Sequence, residues 1–201
     1  GVIRNISGNN TYSGAITLGA NSEIQSNGGT LTLNVGSGSA IAASNKNLTF
    51  DAPIGNITVA DPIATGSGTL TKTGNGTLTL SAANTYTGAT TISDGTLAIS
   101  NATGLGTTDA ATTVASGGSL SISGGITVAE AITINGTGHS SGGAIIFTAN
   151  NNTYSGAITL GATSTIVSTG GAQTISGTVN GGQALTITAN GNLIISGAVG
   201  G

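Results

Sequence analysis

The stretches NNTYSGAITLGA at residues 9–20 and NNTYSGAITLGA at residues 151–162 are identical, and ANTYTGATTIS at residues 83–93 is a close variant. All three tyrosines of the chain, Tyr12, Tyr86 and Tyr154, fall in this N-T-Y-[ST]-G-A motif. The copying extends past the motif. Setting residue 1 on residue 143 also matches Ile3 with Ile145, Ile24 with Ile166 and Gly28-Gly29 with Gly170-Gly171, and a small insertion then brings Asn47-Leu48 onto Asn192-Leu193. Residues 1–58 therefore resemble residues 143–201, and the chain restarts its own pattern part-way along. A closed sandwich or barrel has no reason to do this. A linear solenoid can be extended or cut at any coil.

The rest of the sequence is built from short alternating runs, among them TLTLNV (30–35), GTLTL (76–80), GSLSIS (118–123), AITIN (131–135) and ALTIT (184–188). Each places apolar residues at i and i+2 with Thr or Ser between, the period of a strand with one buried face. Gly, Asn, Asp and Ser fill the breaks, as residues that tolerate left-handed backbone or bond their own turns. No stretch carries a 3.6-residue period, so essentially no helix is expected. The expected fold is all-β: one continuous parallel β-solenoid (β-helix) over residues 1–201. At about 20 residues per coil it makes about nine or ten coils, a rod of ~45 Å.

Composition narrows the function. Charged residues are 4% of the chain against about 25% in ordinary globular proteins, so hydroxyl and amide groups must cover the surface. A positive mean hydropathy of +0.29 and the regular Ile, Leu and Val argue for order rather than a Gly- and Ser-rich coil. The net charge of -3, with only Arg4, Lys46 and Lys72 basic, excludes a nucleic-acid footprint. Without cysteine there are no disulfides and no thiolate metal sites. No apolar run reaches the ~20 residues of a membrane helix, so this segment is not expected to insert in a membrane. Lacking a leader-like segment and an initiator Met, the chain is expected to be a processed product or a piece of something longer.

GTLTKTGNGTLTLSAANTYTGATTISDGTLAIS at residues 68–100 carries a family pattern: G-x-G-x-L-x-L, then N-x-Y-x-G-x-T, then G-x-L. Here these are Gly74, Gly76, Leu78, Leu80, Asn84, Tyr86, Gly88, Thr90, Gly95 and Leu97. The stretch resembles the autotransporter-associated β-strand (passenger-associated transport) repeat of bacterial surface proteins. The likeness is partial at residues 10–18 and 152–160, where Ile16 and Ile158 are offset and the G-x-L tail is missing. The resemblance implies a right-handed parallel β-helix on the surface of a Gram-negative-type bacterium, a stalk or adhesive fibre without catalytic activity.

Catalytic chemistry was sought on the same fold. Polysaccharide-cleaving solenoids need convergent carboxylates or a calcium site with a base. The acids Glu23, Asp51, Asp61, Asp94, Asp109 and Glu130 are instead spread along the chain. Asp51 and Asp61 sit beside Pro at strand ends, and Asp94 precedes Gly95, all of which read as turn formers. His139, the lone histidine, reads as an exposed loop residue. No cofactor is expected, and the chain is not expected to be an enzyme. A carbohydrate-binding or carbohydrate-cleaving β-helix is the alternative. A minor alternative is ice binding, from outward pairs such as Thr30/Thr32, Thr69/Thr71, Thr77/Thr79 and Thr186/Thr188; their uneven spacing in sequence argues against a regular array.

The expected function is thus an extracellular structural or adhesive solenoid. Neither end of the sequence carries strong charge protection, so coils are expected to stack end to end. Host-cell, glycan or biofilm surfaces are the candidate partners. The residues singled out are the repeated motif: Asn10, Tyr12 and Gly14; Asn84, Tyr86 and Gly88; Asn152, Tyr154 and Gly156. The expected roles are Asn for the turn, Tyr to cover a coil edge with its hydroxyl in water, and Gly for the bend.

Overall fold

A computed structural model describes residues 3–200. The chain winds into a parallel β-solenoid of about nine turns with three faces, here A, B and C, and every strand pairing among the described residues is parallel. Face A begins with Ile3–Asn5, Ser22–Ser26, Leu48–Asp51 and Leu70–Thr73. Face B begins with Asn10–Tyr12, Thr30–Leu33, Asn56–Val59 and Thr77–Leu80. Thr90–Ile99, Thr112–Ile122 and Ile158–Ser168 run without a break round the corner from A to B, joining the two faces into one 15-stranded sheet.

Face C has two separate blocks. Ile16–Leu18, Ile41–Ala43 and Ile63–Ala64 form one, and Thr127–Val128, Thr153–Tyr154, Ala172–Ile175 and Asn192–Ile195 the other. Irregular segments carrying Tyr86 and Leu105 bridge the gap. Backbone bonds still cross it, from Thr85 N to Ile63 O and from Thr107 N to Tyr86 O. The sole helical element among the described residues is a 3-10 turn at His139–Ser141.

Alternation explains the core. Because side chains point in and out by turns, register stacks like on like: Ile3, Ile24, Phe50, Lys72, Ile92, Val114, Ile134 and Leu160 form one inward column on face A. Leu31, Ile57, Leu78, Leu97, Leu120, Ile145, Ile166 and Ile187 form the matching column on face B. Successive residues in the face A column lie from 20 (Lys72 to Ile92) to 26 (Ile24 to Phe50) positions apart. The longer coils place their extra residues at corners, in the VGSGSA loop (35–40) and around the His139 turn, so the register survives.

The two identical twelve-residue segments do not lie on the same faces. In the first, Asn10–Tyr12 is on face B and Ile16–Leu18 on face C. In the second, Thr153–Tyr154 is on face C and residues 158–160 on face A. The same one-face rotation carries Ile3 on face A to Ile145 on face B, and Ile24 on A to Ile166 on B. The later match of Asn47-Leu48 with Asn192-Leu193 does not keep this phase, since Leu48 is on A and Leu193 on C. All three faces ask for the same local pattern, so one sequence serves either position.

Candidate functional site: an inter-coil lock and a threonine row

At the second and third motifs Asn and Gly each reach the coil before them, as does Tyr154. Asn84 Oδ1 accepts from Ile63 N at 2.9 Å, while its Nδ2 donates to Gly104 O of the following coil at 2.7 Å. Asn152 Oδ1 accepts from Gly125 N (2.9 Å) and Ile126 N (3.2 Å), and its Nδ2 donates to Thr148 O, Ala149 O and Gln173 Oε1. Both asparagines are buried, as capped amides spanning three coils must be.

Tyr86 and Tyr154 are fully buried, which corrects the expectation of a hydroxyl left in water. Tyr154 donates to Glu130 O at 2.8 Å, and the Tyr86 hydroxyl meets Thr90 Oγ1 at 2.8 Å. Burial pushes both phenols well above their ordinary range, and the nearby Glu130 adds to it. The apolar interior outweighed the preference of a phenol for the wet edge because each hydroxyl finds an internal partner.

The motif glycines make the corner from face C to face A. A Cβ on Gly88 would lie 2.2 Å from Gly68 O, one on Gly156 2.0 Å from Glu130 O, and one on Gly177 1.9 Å from Gly156 O. Here the backbone of one coil fills the space a side chain would need in the next.

The first motif makes none of these contacts. Asn10 is exposed and bonds locally to Asn5 Oδ1 and Ser7 O; Tyr12 is 43% exposed; a Cβ on Gly14 would meet only the ring of Tyr12. The structure thus brings together Asn84, Tyr86 and Gly88, and Asn152, Tyr154 and Gly156, as inter-coil locks, and leaves Asn10, Tyr12 and Gly14 outside any such lock.

Outward residues of face A form a second candidate site that the sequence did not single out. Thr49, Thr71, Thr91, Thr113, Thr133 and Thr159 stand in register on six consecutive coils. Strand spacing makes this an unbroken hydroxyl and methyl row of ~24 Å. Beside it Asp51 accepts from Gln25 Nε2 (2.7 Å) and Thr73 Oγ1 (2.9 Å), so Asp51 is a rung of a polar ladder rather than a turn former. On face B, Thr30/Thr32, Asn56/Thr58 and Thr77/Thr79 likewise stack in register, which corrects the inference drawn from uneven spacing: corner loops absorb the difference.

Two buried ionisable groups also went unread. Lys72 is fully buried between Phe50 and Ile92, and its Nζ donates to Thr73 O, Gly74 O and Asp94 O. Burial lowers its pKa to about 8 against the pull of Asp51 and Asp94. Its sequence signal was the alternation itself, which puts Lys72 two positions from inward Leu70. Glu130 is buried beside Thr112, and nothing in AEA (129–131) announces it.

The other candidates serve structure. Asp61 Oδ2 accepts from Val35 N at 2.7 Å, tying adjacent coils, and Asp94 lies inside Thr90–Ile99 at an irregular step in the pairing. His139 is half-buried, not exposed, and donates its backbone N–H to Ser119 Oγ. Among the described residues no three of the His, Asp and Glu side chains gather as a metal site, and no helix is long and apolar enough to cross a membrane.

Stacked coils locked by N-x-Y-x-G units define a parallel β-helix repeat protein. Residues 70–99 match the family model described as passenger-associated-transport-repeat, so the chain carries that repeat across the coils where Asn84, Tyr86 and Gly88 engage. No curated protein and no solved structure matches the chain.

Proposed function

We propose that this chain is a non-catalytic segment of an exported bacterial surface fibre, in which the solenoid is a stalk and its hydroxyl-rich faces are adhesive. The observation that carries this reading is the passenger-associated repeat at residues 70–99, whose Asn84 and Gly88 work between coils and whose Tyr86 is buried against Thr90 rather than turned toward solvent. Antibodies against the chain should label intact cells of the source bacterium, and protease added outside should remove the signal. Labelling only after lysis would sink the proposal.

Further coils, from the same fibre or a second copy, are proposed to continue the stack at its ends. In support, Ile187 on the last strand of face B is 42% exposed, whereas Ile166, its neighbour one coil earlier in the same inward column, is buried. Electron microscopy at high concentration should show rods longer than the ~45 Å of one chain. Particles that stay single at every concentration would count against stacking of copies.

The threonine row favours one second reading, that face A orders water as an ice-binding surface. Absence of thermal hysteresis and of any effect on ice recrystallisation would remove it.

A further inference from the structure

Glu130 occupies a corner where the next coil carries Gly156 and the preceding coil Ala110. The backbone bonds Leu48 N to Thr69 O, Leu70 N to Ala89 O, Thr112 N to Ala131 O and Ile132 N to Ala157 O align the corners, and put Gly68, Gly88, Glu130 and Gly156 in equivalent places. A long acidic side chain therefore stands where the two adjacent coils carry only alanine and glycine.

That side chain turns inward. Glu130 is 3% exposed; its Oε1 accepts from Thr112 Oγ1 at 2.6 Å, and its Oε2 is buried with no partner. Below it Thr112 stacks on Thr90, which holds the Tyr86 hydroxyl, and above it the Tyr154 hydroxyl takes the backbone carbonyl of Glu130 itself. The ionisable groups that feel Glu130 are these two phenols, and no cation offsets it.

We propose that Glu130 is a proton-sensitive joint in the rod, neutral when the coils around residues 112–158 are tightly stacked and loosening them when it ionises. An orphaned carboxylate oxygen in this interior costs far more than an orphaned carboxylic acid oxygen, because burial penalises the charged form. In keeping with the geometry, burial pushes the Glu130 pKa up to about 7, against the opposing Thr112 bond.

The direction follows from proton counts. Between the ordinary 4.5 and about 7, the unfolded chain has lost the proton and the folded chain keeps it. Stability therefore falls as pH rises through that window and stays low above it, by up to ~300-fold in the folded-to-unfolded ratio.

The chain has two glutamates, Glu23 and Glu130, so carboxyl 13C labelling of glutamate gives two resonances in the intact wild-type protein. One of them, that of Glu130, should titrate near pH 7. In urea unfolding from pH 4.5 to 8, the wild type should lose stability where Glu130→Gln stays flat, and the variant should be the more stable at pH 8. The absence of any glutamate resonance titrating near pH 7, or the wild-type slope persisting in Glu130→Gln, would overturn the proposal. The labelled titration needs no variant and stands even if Glu130→Gln does not fold.

Discussion

One substitution made twice, in the same twelve letters of sequence, tests whether the coil stack or the local sequence gives the motif its importance. Gly156→Ala places a Cβ 2.0 Å from Glu130 O, 2.6 Å from its carbonyl carbon and 2.8 Å from Ala129 O. Ordinary contact begins near 3.4 Å, and all three atoms are backbone, so no side chain can swing aside. Opening the corner by the missing distance would break Tyr154 Oη to Glu130 O (2.8 Å), Ile132 N to Ala157 O (2.8 Å) and Gly156 N to Val128 O (3.3 Å). Three buried bonds at roughly 1 kcal/mol each, with partners left unpaired, give a loss of about 3–5 kcal/mol. For a chain of this size that lowers the melting temperature by roughly 6–20 °C. Gly14→Ala places its Cβ nearest the far end of the Tyr12 side chain, 2.8 Å from the hydroxyl and 3.0 Å from Cζ, and that side chain is 43% exposed, so the cost should stay within about 1 kcal/mol. Thermal and urea unfolding followed by far-ultraviolet circular dichroism would measure both. Equal losses at Gly14 and Gly156 would refute the reasoning, because the two sites differ in nothing but their place in the stack.

The same logic extends to the other motif positions. Asn152→Ala orphans the N–H groups of Gly125 and Ile126 and should cost about 2–4 kcal/mol, whereas Asn10→Ala removes one part-buried and one exposed local bond and should cost about 1 kcal/mol or less in the same unfolding assay. Tyr154→Phe should cost about 1–2 kcal/mol and speed amide exchange at Ile132, while Tyr12→Phe changes neither. Lys72 holds its proton less tightly when folded than when unfolded, so wild-type stability should rise as pH goes from about 8 toward 10, and Lys72→Met should abolish that rise; parallel urea midpoints for the two proteins would exclude it.

Strand positions were legible because an inward apolar column needs Ile, Leu or Val at every second residue, and runs such as TLTL (30–33) and GTLTL (76–80) obey this without tertiary help. The outward partners were legible too, yet the threonine row was not. Its members sit 20 to 26 residues apart, and only the corner loops show that Thr49 and Thr159 belong to one line. A phenol is amphipathic, which suits Tyr86 and Tyr154 to an edge; what decided their burial was an internal partner for each hydroxyl, Thr90 of the same motif for Tyr86 and the carbonyl of Glu130 in the preceding coil for Tyr154. Lys72 could have been placed inside by alternation alone, since Leu70 fixes the phase of its strand. Glu130 could not, because its neighbours fit a solvated turn as well as a buried corner.

The face rotation between the two copies explains why the motif by itself could not reveal its own role. A solenoid whose three faces impose the same inward pattern accepts a duplicated segment at any third of a turn, so NNTYSGAITLGA folds as strand, turn and strand in both places. What changes is which coil lies beneath it. At residues 151–162 the preceding coil supplies Gly125 N, Ile126 N and Glu130 O, and the three motif residues close on them. Residues 9–20 lie in the first described coil, where Tyr12, in register with inward Leu33 of the next coil, is 43% exposed. The lock is thus a property of two successive coils together, and a substitution in the receiving coil should weaken it as much as one in the motif itself.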